Sequence, residues 1–282
     1  MTSTTPPLRP RRQAIPLYAK FGLLILALNI LCVVFAPWIA PYGEAKMLGG
    51  SWSPASAEHL LGLDSLGRDM FSRIVYGARV TLGLTLIITV LAFLVGGGAG
   101  FIASTLGGAT EMIMGRVVDI LMSIPMLIFA LIIISAMGNS IISLILVSAL
   151  LEGTRVYRVA QAVATDVLAN DYIEVARLRG ESVFWIAFRE ILPNIVPPLL
   201  AEFGLRFCYT LLFVSSLNFL GFGVQPPTAD WGGMVRENAP ALGFGSFAPL
   251  YPAAAIALLA IALNLIVDWI MSVYVTKTGR EN

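Results

Sequence analysis

The side chains able to do chemistry are few in this chain, and their spacing supports charge recognition better than catalysis. There is one histidine, His59, and there are two cysteines, Cys32 and Cys208, in separate apolar runs. A His/Cys zinc centre and a histidine-based triad therefore lack their donors, and no disulfide framework is expected. A phosphate-binding loop needs Gly-Lys-Ser/Thr. Lys20 precedes Phe21, Lys46 precedes Met47 and Lys277 follows Thr276, so none of the three lysines fits. No HExxH and no paired carboxylates at helical spacing point to a hydrolase. The ten methionines, including Met112, Met114, Met122 and Met126, read as packing residues rather than a metal path. What remains is charge: Glu202 and Arg206 four apart, glutamate first, so that they can pair on one helix face; Asp64, Arg68 and Asp69 in a polar stretch; and a charged run from Asp171 to Gly180.

These groups sit in an apolar chain. Of 282 residues 57% are apolar and 12% charged, with mean hydropathy +0.84. Soluble domains carry roughly 25% charged residues, so the solvent for most of this chain is lipid, and an all-α membrane protein is expected. A net charge of +1 argues against a nucleic-acid partner. Apolar runs predict six spans, at 21–40, 79–105, 116–137, 141–165, 197–222 and 249–275. The second half of the fourth, with Glu152, Arg155 and Arg158, is read as emerging from the bilayer. Residues 1–20 hold four prolines and the cations Arg9, Arg11, Arg12 and Lys20, a disordered basic tail. The organisation read from this is tail 1–20, first span with external segment 21–76, a five-helix core 77–275 with a loop at 166–195, and tail 276–282.

Six spans place both termini on one side. With the N-terminus inside, the inner segments hold twelve cations (Arg9, Arg11, Arg12, Lys20, Arg116, Arg155, Arg158, Arg177, Arg179, Arg189, Lys277, Arg280), and the outer segments hold five (Lys46, Arg68, Arg73, Arg79, Arg236). The positive-inside rule then makes both termini and the 166–195 loop cytoplasmic. Gly96, Gly97, Gly98 and Gly100 are read as small residues that let helices approach closely.

The loop is the most specific segment. Asp171 is expected to cap a short helix, with Glu174 three residues on in a capping-box arrangement. Gly180 is expected to end that helix in the left-handed conformation. A second helix, from Ser182 to Ile191, is expected to stop at Pro193. The two would form a stiff knob whose face of Tyr172, Ile173 and Ala176 enters a groove on a partner. An amphipathic loop lying on the membrane surface is the alternative.

The spacing Glu174-x-Ala176-x3-Gly180-x11-Leu192-Pro193 resembles the EAA loop of ABC-importer permeases, which docks onto an ATPase subunit. Three more blocks in order resemble the second permease subunit of the dipeptide/oligopeptide (and nickel) ABC importers: Ala57 to Arg73, Arg116 to Pro125, and Ser216 to Thr228 with Trp231-Gly232. Two positions depart from the pattern, Val175 in place of alanine and Glu190 at an apolar position. The resemblance implies the type I ABC importer permease fold in a bacterial inner membrane. It implies as partners a second related permease in a heterodimer, two ABC ATPases and an extracytoplasmic binding protein. This chain would bind no cofactor, since ATP and Mg belong to the ATPases. Docking is assigned to Asp171, Tyr172, Glu174, Ala176 and Gly180, with Leu192 and Pro193 linking the loop to the fifth span.

For the other charges two readings each stay open. Glu202 and Arg206, with Arg206 roughly 12 Å along the helix from Pro198, either line the pathway and meet a substrate carboxylate or form a structural pair. Asp64, Arg68 and Asp69 either contact the binding protein or form a capped turn. A nickel or other small-solute importer is the alternative within the architecture. An ion-coupled secondary transporter is the alternative outside it, and would have no use for the charged loop.

Overall fold

A computed structural model describes residues 15–278. Most of the expected basic tail, including Arg9, Arg11 and Arg12, and Arg280 at the other end lie outside the described residues. Residues 17–20, expected to be disordered, form the first turn of helix α1 (Leu17–Ile39), which kinks at Phe35 just before Pro37.

Helix α2 runs from Met70 to Leu106. It begins well before the expected residue 79, because Asp69 caps it: the carboxylate accepts the Ser72 N–H at 2.8 Å and so satisfies a free first-turn donor. Met70, Ser72, Arg73, Val75, Gly77 and Ala78 are buried, and the boundary expected at 76–77 falls inside this rod. A π turn at Phe93–Gly97 interrupts it.

The third expected span is two helices, α3 (Gly108–Met122) and α4 (Met126–Met137), bent by 89°. Pro125 causes the break. It has no N–H to donate and it drives the preceding residue out of helical geometry.

Helix α5 (Ile141–Leu168) is the centre of the bundle and packs against α2, α3 and α4. Its polar second half, read as emerging from the bilayer, is covered on one side by neighbouring helices, while Ala162, Thr165 and Asp166 near its end are exposed. Leu151, Glu152, Gly153, Thr154, Val156, Tyr157, Ala160 and Ala164 are all buried against neighbouring helices. Helix α6 (Asp171–Leu178) follows, then α7 (Val183–Phe219), α8 (Trp231–Asn238), a 3-10 turn at Ala239–Phe244 and α9 (Leu250–Thr278). Helix α7 also packs on α5, and α1 packs on α9. Among the described residues there are no strands, only the isolated bridges Met47–Arg68 and Leu63–Asp69.

Among the described residues four helices (α1, α2, α7 and α9) are long and apolar enough to cross a membrane, and five if the bent pair counts as one. The connections gather at two ends. At one, Glu44 accepts the Ala229 N–H at 2.8 Å and Asn139 donates to the Gly221 carbonyl at 2.7 Å. At the other, α6 packs against the end of α5 and the start of α7.

Candidate functional site: the coupling loop and the charged clusters

The loop folds as a capped helix, a reversal and a long rod. Asn170, not Asp171, is the N-cap of α6, and no side chain closes it. Asp171 and Glu174 instead place carboxylates in the first turn, where the helix dipole favours them. Gly180 has φ +82°. The Gly180 N–H donates to Arg177 at 2.9 Å and the Glu181 N–H to Ala176 at 3.2 Å, the two bonds of a Schellman ending.

The face expected to enter a partner is divided. Ile173 and Ala176 are fully buried against Ala164, Ile186, Ile191 and Ile195 of this same chain. They face inward because the short helix needs an apolar seat to be stable. Ala176 is therefore a packing residue, not a docking contact. Asp171, Tyr172, Glu174, Val175 and Leu178 are exposed, Leu178 to 81%. Burial and the nearby Glu190 carboxylate push the Tyr172 phenol above its ordinary range.

The second helix does not end at Pro193. Ser182 caps it by accepting the Trp185 N–H at 3.2 Å, and it continues through a π turn at Ala187–Ile191 into α7. The Leu192 N–H donates to the Ala187 carbonyl. That shift in register makes room for the proline ring, and the Asn194 side chain donates to the Glu190 carbonyl at 2.6 Å. Leu192 is partly buried and Pro193 exposed. The loop and the following span are thus one rod.

The charges Asp64, Arg68 and Asp69 are 0%, 2% and 2% exposed, so they offer no contact surface. Asp64 Oδ2 binds Arg68 Nε at 2.7 Å and also pairs with Arg73. Glu237 of α8 binds Arg68 at 2.6 Å and Arg73 at 2.7 Å. Asp69 caps α2 and meets His59 Nδ1 at 3.1 Å. Asn238 accepts from Ser65 N–H at 2.9 Å and Trp52 Nε1–H at 3.3 Å. Two carboxylates, Asp64 and the partly buried Glu237, balance two buried guanidiniums, Arg68 and Arg73, so each buried charge is paired. Arg73 and Glu237 were not singled out by sequence, since nothing in their spacing reveals a contact 164 residues apart.

Within the rods, Arg206 Nε donates to Glu202 Oε1 at 2.6 Å, as the spacing predicts. A second cluster joins α3 to α5: Arg158 pairs with Asp119 and bonds Gln161 at 2.9 Å, and Gln161 bonds Glu111 at 2.9 Å. Glu152 of α5, in the half read as leaving the bilayer, is 2% exposed, and its Oε2 has no hydrogen-bond partner among the described residues.

Residues 96–280 match the family described as binding-protein-dependent transport system inner membrane component. The chain belongs to that family. A putative peptide transport system permease protein of Brucella abortus is 35% identical over 93% of this chain and 88% of its own. A di/tripeptide transport system permease protein of Pseudomonas aeruginosa is 32% identical over 88% and 84%. A probable D,D-dipeptide transport system permease protein of Escherichia coli is 32% identical over 92% and 87%. The fold is similar to that of an amino acid ABC transporter solved with histidines (TM-score 0.52, 19% identity, 70% of this chain and 92% of that one).

As a member of the binding-protein-dependent transport family, the chain is a multi-pass inner membrane permease component and not a catalytic enzyme. Two of the sequence blocks that carried the resemblance, 57–73 and 216–232, contribute Met70 and Trp231 to one core cluster. Just beyond the first block, Trp231 Nε1–H donates to the Ile74 carbonyl at 2.9 Å and Thr81 Oγ1 to Asp230 at 2.9 Å.

Proposed function

We propose that this chain forms half of the translocation pathway of an ATP-driven importer for di- or oligopeptides delivered by an extracytoplasmic binding protein. The observation that carries the substrate class is the identity of 31–35% with permeases named for peptide, dipeptide and di/tripeptide transport, over about nine-tenths of the chain. A glutathione transport permease of Pectobacterium atrosepticum, 31% identical over 88% of this chain, extends the set to another short peptide.

The polypeptide crosses six times in this reading: α1, α2, the bent pair α3–α4, α5, α7 and α9. Helix α5 counts as a crossing because Glu152 is buried among its neighbours and Arg158 is paired with Asp119, although composition alone disqualifies it. Both termini and the loop are cytoplasmic. The five-helix core follows the external segment, which is anchored to α8 by the Asp64–Arg73–Glu237 cluster.

The mechanism follows from one rod. ATP closes two partner ATPases, which grip α6 through Tyr172, Glu174, Val175 and Leu178. Gly180 fixes the angle between α6 and the start of α7, and Leu192 and Pro193 lie on the unbroken path into the membrane. Motion at the loop is carried along α7 to Arg206 and Glu202, and the helices rock between inward- and outward-open states against a second, related permease. ATP and Mg bind the ATPases, and this chain supplies no nucleotide site.

The test is uptake by the complete importer in proteoliposomes with ATP inside and binding protein outside. Labelled dipeptide should accumulate, and nickel ions should not. Nickel accumulation without dipeptide would replace the peptide reading, and uptake indifferent to ATP would replace the importer reading with an ion-coupled one.

A further inference from the structure

Arg155 is a partly buried cation without a protein partner. Arg68, Arg73, Arg158 and Arg206 each meet a carboxylate, whereas Arg155 makes no hydrogen bond and no ion pair among the described residues. It is the fifteenth of the 28 residues of α5, roughly 20 Å along the helix from either end. In the six-crossing reading that is the middle of the bilayer, where an ionisable side chain marks a functional position by default.

Arg155 lines a cavity of about 330 Å³ in the elbow between α3 and α4, together with Ser123, Pro125, Met126, Leu151 and Thr154. Glu152, one turn earlier on α5, is buried, is not part of that lining and does not pair with Arg155. The cavity is therefore served by a free guanidinium, whose five N–H donors form a planar fork suited to a carboxylate. The 89° bend adds to this. No side chain caps α4, so its first N–H groups lack an acceptor and its dipole favours an anion at that end. Acceptors stand beside these donors. The last carbonyls of α3 end there, and the Ser123 and Thr154 hydroxyls donate to the Ile120 and Leu151 carbonyls, both at 2.7 Å, which leaves their oxygens to accept. A carboxylate flanked by an N–H group is the chemistry that fits this set.

We infer that Arg155 receives the terminal carboxylate of the peptide as it passes the α3–α4 elbow, while the neighbouring acceptors take the amide N–H next to it. Arg155 is then a specificity-determining residue of the pathway, which favours a free C-terminus over an amidated one. This rests on the peptide-importer reading. It places the carboxylate contact at Arg155 and not at Arg206, which Glu202 already neutralises.

Two measurements on the complete importer in proteoliposomes test it. The first compares uptake of a labelled dipeptide with that of the same dipeptide as its C-terminal amide, read as the ratio of their kcat/KM values. The preference of the binding protein itself is common to all variants and divides out. Arg155→Gln should lower the ratio about tenfold, the loss expected when a carboxylate is deprived of a charged hydrogen-bond donor. Arg155→Lys should keep part of it, as a point charge without the fork. A structural arginine would lower both uptakes together, so an unchanged ratio in Arg155→Gln overturns the proposal. The second measurement keeps Arg155 in place. Ser123→Cys, in a chain lacking Cys32 and Cys208, is alkylated by a small neutral thiol reagent with either peptide at saturation. The dipeptide should slow the reaction and the amide should not; equal rates overturn the proposal. If the wild-type importer hydrolyses ATP and carries neither peptide, the peptide reading has failed. Acetate then tests the site alone: it should slow the same alkylation, and lose that effect when Arg155→Gln is added, and no slowing overturns the carboxylate site as well.

Discussion

The backbone of Gly96 rests on that of Gly153: a Cβ on Gly96 would stand 2.0 Å from the Gly153 carbonyl oxygen. Helices α2 and α5 touch there main chain to main chain, within the π turn of α2. Backbone atoms cannot rotate away as a side chain can. Gly96→Ala should therefore separate the two helices and destabilise the protein by about 2 kcal/mol, the range of core overpacking. Gly98, one turn face away with nothing within 4 Å of its Cβ position, should accept alanine. Thermal unfolding of the two purified variants in detergent decides the matter; equal midpoints would show that α2 and α5 do not approach as described.

The Asp64–Arg68–Arg73–Glu237 cluster makes a different kind of prediction. Asp64 and Glu237 together neutralise Arg68 and Arg73, and Arg73 already has Nε and Nη2 without partners among the described residues. Removing Glu237 as Glu237→Ala leaves a buried cation short of its counter-ion, which costs roughly 3–5 kcal/mol when the pair is wholly buried and less here, since Glu237 is 19% exposed. The loss should appear as a lowered unfolding midpoint. Whatever importer still assembles should bind the extracytoplasmic protein with unaltered affinity, measured by surface capture. A weakened affinity with unchanged stability would return these charges to the contact surface.

Helix α6 has two faces that should fail in different ways. Ala176→Leu inserts three carbons where Ala176 is fully buried against Ile173, Ile186 and Ile191. It should unseat α6 and lower stability by about 1–3 kcal/mol. Leu178→Ser removes an exposed side chain and should leave the unfolding midpoint within about 0.5 kcal/mol of the parent. Co-purification of the ATPases should fall in both. If Leu178→Ser retains them fully, docking uses some other part of the loop.

That division shows where sequence was sufficient. The charged run, Gly180 and the i,i+4 pair of Glu202 with Arg206 were legible because their signals are local: a glycine at a helix end, a spacing of four. The apolar spans at 21–40 and 249–275 were legible for the same reason. What depends on partners distant in the chain was not. Nothing near Ala176 says that residues 164, 186 and 195 form its seat. Nothing near Asp64 says that the two arginines it binds also bind Glu237. Polar residues in α5 were read as emerging from the bilayer, and composition alone did not show that Glu152, Thr154 and Tyr157 are enclosed by other helices. Pro193 was expected to stop a helix, and a π turn lets the helix pass it.

Asp230 carries a pH dependence. It caps α8 by accepting the Gly233 N–H at 2.8 Å and is 2% exposed. Burial raises its pKa, against the lowering by the Gly233 N–H and the Thr81 hydroxyl. The free carboxyl titrates at about 3.9. A folded value above that means the stabilising contribution is complete below about 3.9 and is lost as pH rises through the folded value. Asp230→Asn keeps the cap and has no proton to lose. The difference in unfolding midpoint, wild type minus variant, should fall between the free and folded pKa values and level off above them. A difference that grows with pH would mean the carboxylate is stabilised in the fold.

Gly180 joins α6 to the rod, and its substitution separates steric from conformational effects. Its φ of +82° is disfavoured for residues with a Cβ, yet nothing lies within 4 Å of where that Cβ would be. A bulky residue therefore meets backbone strain and no clash, a local cost of about 1–2 kcal/mol. Gly180→Val should insert in the membrane and lower its unfolding midpoint by no more than that strain, because α6 is seated by Ile173 and Ala176 rather than by its ending. It should nevertheless abolish uptake, since relief of the strain turns α6 away from the axis of α7. Gly180→Asn, whose side chain tolerates left-handed geometry, should retain a measurable fraction. Full uptake by the valine variant would mean that the angle at Gly180 transmits nothing, and the motion would then have to enter the membrane by direct contact of the ATPase with α7 itself.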